Sequence, residues 1–87
     1  PTTLVDASVL DNPVPDASPI TIIRIPDGTT GRLFNVRGGP VEAGFTPATG
    51  GALVSAIKAS DIAPGVYFLR ITYKTESRIL KIVVSEP

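Results

Sequence analysis

The sequence contains no cysteine and no histidine. Without Cys, no disulfide can staple the fold, and no thiolate is present to bind metal or attack a substrate. Without His, the chain lacks the one side chain whose unperturbed pKa lies in the neutral range, which is also the commonest metal ligand. Trp and Met are absent too, and aromatic residues make up only 6% of the chain. Neither charge sign is in excess, because eight basic residues offset eight acidic ones. No strong field therefore draws nucleic acid or anionic lipid. No apolar run approaches the ~18 residues of a membrane span. The first residues carry neither the basic n-region nor the apolar h-region of a signal peptide. The chain opens on Pro1 rather than Met, so we expect a segment excised from a longer protein.

What remains is the composition of a folded domain. Of 87 residues, 43% are hydrophobic and 18% charged. That length makes a single domain, 1–87, with a thin core, burying about 60% of its unfolded surface. Nine Pro and eight Gly fall between short apolar runs, the punctuation of an all-β chain. Strands are expected at 4–10, 20–25, 32–37, 41–45, 52–58, 66–74 and 78–84. The stretch GALVSAIKAS, 51–60, is the one helix candidate. Val54, Ile57 and its short length favour a strand at 52–58 instead. Turns are expected at Asp11-Asn12-Pro13, Pro26-Asp27-Gly28, Gly38-Gly39-Pro40 and Pro64-Gly65, each placing Pro, Gly or Asn where the backbone must bend. A final turn at Thr75-Glu76-Ser77 lacks Gly, which suggests a type I turn with a bulge. The fold class is all-β: a small antiparallel immunoglobulin-like β-sandwich of about seven strands. The missing Trp and Cys pair separate it from a true immunoglobulin domain.

Strand phase follows from alternation. Tyr67, Leu69, Ile71 and Tyr73 share one face of 66–74, and Val66, Phe68, Arg70, Thr72 and Lys74 the other. Leu80, Ile82 and Val84 lie opposite Lys81. In 32–37, Phe34 and Val36 oppose Asn35 and Arg37.

Catalytic chemistry is hard to find. The carboxylates are Asp6, Asp11, Asp16, Asp27, Glu42, Asp61, Glu76 and Glu86, and all but Glu42 fall in expected turns, ends or edges, where solvation and turn formation account for them. A glycosidase pair would need a cleft that a thin sandwich does not offer. No Ser has a histidine base or a GxSxG elbow. The glycines at 28–31 and 50–51 match no phosphate loop. Asp11, Asn12 and Asp16 form one loose group of oxygens of the kind calcium uses. No metal and no cofactor is expected, and whether a calcium ion binds near Asp11–Asp16 is left open. The last hairpin carries Arg70, Lys74, Arg78 and Lys81 against Glu76, which reads either as a basic face for an acidic partner or as a solvated, edge-protecting strand face.

The stretch IAPGVYFLRITYK, Ile62–Lys74, followed by Arg78-Ile79-Leu80-Lys81-Ile82-Val83-Val84, resembles the C-terminal sorting domain of the Bacteroidetes type IX (Por) secretion system. That family pairs a Pro-Gly-Val-Tyr strand entry and an Arg-Ile ending with a terminal Lys-hydrophobic-Val-Val strand. Asp11-Asn12-Pro13-Val14 is similar to its Pro-Asn-Pro-hydrophobic turn, with the Thr-Ile strand following at Ile20–Ile22. Thr30–Gly38 resembles its middle strand and glycine turn. The likeness spans about Val9 to Val84. Asp11 stands where the family has Pro, Leu80-Lys81 where it has Lys-Lys, and the turn 74–77 lacks the common Gly. The resemblance implies a non-catalytic secretion signal that rides on an N-terminal cargo domain and folds in the periplasm. The outer-membrane translocon would recognise it, and a cell-surface sortase would remove it, leaving the cargo at the surface or outside the cell. It places recognition in the last strands, where Gly65, Tyr67, Arg70, Lys74, Arg78, Lys81, Ile82, Val83 and Val84 are the candidates. Asn12, Pro13, Gly38, Pro64 and Gly65 are the structural turns. Neither a nucleic-acid partner nor a membrane span is expected, and the oligomeric state is left open. Two other readings compete, and the first shares the fold. One is an immunoglobulin-like spacer or carbohydrate-binding module, although Phe34, Phe45, Phe68, Tyr67 and Tyr73 read mostly in phase with a core. The other is a small hydrolase.

Overall fold

A computed structural model describes residues 2–85. Its strands are β1 (Ser8–Val9), β2 (Pro19–Ile23), β3 (Thr30–Asn35), β4 (Pro40–Val41), β5 (Ala52–Lys58), β6 (Gly65–Tyr73) and β7 (Glu76–Val84). They form two antiparallel sheets. One is three-stranded in the order β1-β2-β5, and the other is four-stranded in the order β4-β3-β6-β7. This is the expected small β-sandwich of seven strands. The order corresponds to strands A-B-E and C′-C-F-G of immunoglobulin-like sandwiches.

The core lies between the sheets. Ile20, Ile22 and Leu53 from one side meet Leu33, Leu69, Ile71 and Ile82 from the other. Each of these is at most 2% exposed, so alternation along each strand sends every second side chain inward. The expected phase of the last two strands holds: Tyr67, Leu69 and Ile71 are buried, as are Leu80, Ile82 and Val84, and Tyr73 packs at the margin. A Cβ on Gly31 would stand 2.7 Å from a methyl of the Leu53 side chain, so a larger residue here would force Leu53 to shift.

The expected strand at 4–10 contracts to Ser8–Val9. A turn precedes it, with the Ala7 amide donating to the Leu4 carbonyl at 3.1 Å. The strand at 20–25 starts one residue earlier and stops at Ile23, because Arg24 takes φ +60° and leaves the ladder. Arg24 then donates to the Asp6 carbonyl and the Ser8 hydroxyl, holding the entry to β1. The strand at 32–37 is displaced to Thr30–Asn35. Its end is set by the Asn35 side chain, which accepts from the Arg37 and Gly39 amides and closes the turn containing Gly38. Val36 is accordingly 65% exposed in that turn, and Leu33 points into the core. The strand at 41–45 shrinks to Pro40–Val41, because the chain leaves the four-stranded sheet and the Ala43 carbonyl accepts from Ala56 of β5. The last hairpin turns earlier than expected. Tyr73 pairs with Glu76 across a two-residue loop, Lys74-Thr75. Lys74 takes φ +53°, so the turn is of the primed kind although it lacks glycine. A 3-10 turn at Ala59–Asp61, not expected from the sequence, follows β5.

Candidate recognition surface

The β6–β7 hairpin has nine residues in each strand and unbroken register from Gly65↔Val84 to Tyr73↔Glu76. Its entry follows from sequence. Gly65 sits at φ +144°, where a side chain is strained, directly after Pro64. Tyr67 fixes the bend from inside. Its ring is buried and its hydroxyl donates to the Ala63 carbonyl, just ahead of that Pro-Gly pair. A tyrosine early in the sixth strand bonded back to nearby backbone is the tyrosine corner of immunoglobulin-like folds.

Strand β7 is the edge of its sheet. An uncovered edge invites another strand, and here the chain covers part of it. The Asn12 side chain accepts from the Val83 amide at 2.9 Å and donates to the Lys81 carbonyl at 3.1 Å. The Val14 amide adds a bond to the Val83 carbonyl at 2.8 Å. The turn at Asp11-Asn12-Pro13 is therefore a clamp on β7, and Pro13 aims Val14 into the core, where it is 2% exposed. At the other end of β7, the Glu76 carboxylate accepts from the Leu4 amide at 3.2 Å. The Arg78 guanidinium donates to the carbonyls of Leu4 (2.8 Å), Val5 (3.1 Å) and Ala7 (3.4 Å).

The candidates thus separate by role. Ile82, Val84 and Tyr67 are buried, Val83 is half-buried, and Arg78 is engaged with the first residues of the chain. Gly65 shapes the entry and Lys74 sits in the loop, its ammonium 5.3 Å from the centre of the Tyr73 ring. Arg70 and Lys81 stand exposed on the outer face of the four-stranded sheet. Register adds neighbours that linear reading missed. Arg32 of β3 lies across from Arg70, which lies across from Ile79. Phe34 lies across from Phe68, which lies across from Lys81. Phe34 and Phe68 therefore belong to the outer face and not to the core. For Phe68 the alternation of β6 already gave this face; for Phe34 the expected strand 32–37 paired it with Val36 as an apolar face, whereas Val36 lies in the turn beyond β3.

Several carboxylates do structural work. Asp27 accepts from the Gly51 amide and Asp61 from the Lys58 amide, as their turn positions suggested. Three surface depressions each hold one carboxylate, namely Glu42, Asp11 and Asp27. Among the described residues, no three acidic, His or Cys side chains cluster as a metal site. Asn12, one of the three residues of the loose calcium group, is committed to β7. Glu86 lies outside the described residues. No helix among them is long and apolar enough to cross a membrane.

The family model described as "Secretion system C-terminal sorting domain" matches residues 11–85. The chain belongs to this family. The match begins at the Asn12 clamp and runs through the whole β6–β7 hairpin. Comparison with curated proteins and with solved structures returns no match. As a type IX sorting domain of the Bacteroidetes kind, the chain is a C-terminal secretion signal. It works with the type IX machinery and directs export toward the outer membrane, the cell surface or the extracellular space.

Proposed function

We propose that the domain is a non-catalytic folded address joined to the C-terminus of a cargo domain. In this reading the fusion crosses the periplasm folded, the outer-membrane translocon binds the domain, and a cell-surface sortase then removes it. The observation that carries the reading is the family match over residues 11–85. The geometry supports a division of labour. Tyr67, Ile82, Val84, Pro64 and Gly65 keep the hairpin in one register, Asn12 and Arg78 tie it to the first residues of the chain, and Arg70, Lys74 and Lys81 present charge outward.

The test is a fusion. Residues 1–87 are placed after a reporter that carries an ordinary Sec signal, in a Bacteroidetes host with and without its translocon. Delivery that needs both the translocon and residues 65–84 is the expected result. A folded reporter held in the periplasm, in a host that exports its own sorting-domain proteins, would instead favour the spacer or binding-module reading. Clear turnover of ester or glycoside substrates by the purified domain would overturn its non-catalytic character.

A further inference from the structure

We propose that the outer face of the four-stranded sheet is the docking surface, and that its occupant is a protein surface of the translocon that carries acidic groups beside apolar ones. The inference rests on the sorting reading and goes beyond it by naming a face that includes β3, outside the terminal hairpin. Three cations lie on this face, Arg32, Arg70 and Lys81, each exposed. Three large apolar groups lie among them. Ile79 is 67% exposed and Phe68 37%, and Phe34 sits directly across from Phe68. Exposed apolar groups gathered beside charges mark interaction sites more often than isolated ones do.

The charge selects the partner. Strands β3 and β6 contain no acid, and the only acid of β7, Glu76, is turned to the Leu4 amide. Glu42 lines the depression at the β3–β4 margin together with Arg32. Arg32 and Arg70 are direct cross-strand neighbours, an arrangement that costs stability in the free domain and is relieved by an anionic surface laid over both. Two copies stacked face to face would oppose cation to cation, so self-association through this face is disfavoured. A bilayer fits poorly as well. The whole chain is neutral, so no long-range field draws it to anionic lipid, and the face carries fewer cations than the clusters that hold proteins to such membranes. Strand addition at the end of β7 meets the Asn12 and Val14 clamp. At that end of β7 the partner meets side chains and not backbone.

The experiment uses the reporter fusion with residues 1–87. The charge-reversed variant Arg32→Glu/Arg70→Glu/Lys81→Glu is compared with the charge-keeping Arg32→Lys/Arg70→Lys and with Arg37→Glu/Lys58→Glu, which lies off the face. Circular dichroism and melting of each purified domain check folding. Ile79→Ser, at an exposed position, is the second face variant should the triple one melt. The expected result is a loss of delivery of at least about tenfold for the charge-reversed and Ile79→Ser variants, with folded fusion accumulating in the periplasm, more delivery for the charge-keeping variant than for the charge-reversed one, and the off-face variant delivered normally. Normal delivery of the folded charge-reversed and Ile79→Ser fusions overturns the face while leaving the sorting reading intact. Retention of the unaltered fusion, in a host that exports its own sorting-domain proteins, overturns both. Sedimentation of the purified domain with phosphatidylglycerol vesicles, lost on charge reversal, would assign the face to a membrane and overturn the protein partner.

Discussion

Leu69 is fully buried at the centre of β6, paired with Leu33 on one side and Leu80 on the other. Truncating it to Ala removes packing atoms that its neighbours on three strands cannot replace, a loss of about 2–5 kcal/mol. A domain of this size has little more stability than that. Urea unfolding of Leu69→Ala measures the loss, and a value below about 1 kcal/mol would contradict the packing described for β6. The position of Leu69 was legible because alternation over nine residues admits one phase. The tyrosine beside it was only partly legible. Burial of the Tyr67 ring follows from its phase with Leu69, but its hydroxyl partner, Ala63, depends on the sharp bend at Pro64-Gly65. Asn12 was less legible still. Its sequence context supports a local turn, whereas its side chain bonds residues 69 and 71 positions away, which no local pattern encodes.

The strands that could be read were those whose ends are set by their own alternation. β5 falls where its residues suggested, and β6 and β7 fall within two residues. The strands misread most were the short ones, β1 and β4, whose limits are imposed by contacts from elsewhere (Arg24 on the Asp6 carbonyl, and the Ala56 amide on the Ala43 carbonyl), and β3, whose end is set by the Asn35 side chain. The outer face was half-readable for the same reason. Arg70 and Lys81 are evident from the hairpin, but Arg32, Phe34 and Ile79 join them only through cross-strand register. At this scale the clamp on β7 makes a separate prediction. Asn12→Ala deletes both side-chain bonds to the strand edge, for a loss of about 1–2 kcal/mol. Hydrogen exchange should show the Val83 amide losing protection at least about tenfold. Unchanged exchange at Val83 would mean that Val14 alone secures the edge.

The first residues belong to the whole fold. Leu4 is fully buried, Ala7 nearly so, and Arg78 and Glu76 hold their backbone from the far end of the sequence. Removing residues 1–10 empties the Leu4 site and deletes β1. By the usual cost of a lost core side chain, the melting temperature should fall by about 10 °C or more. A truncated domain that melts with the intact one would show this segment to be dispensable. The same closure bears on timing. A ribosome releases Leu4 and Asn12 long before it makes the residues that receive them, at Glu76, Arg78, Lys81 and Val83. The domain therefore cannot close before β7 has been made. A message cut short would yield a cargo whose signal never folds, so a closed sandwich certifies that translation reached β7.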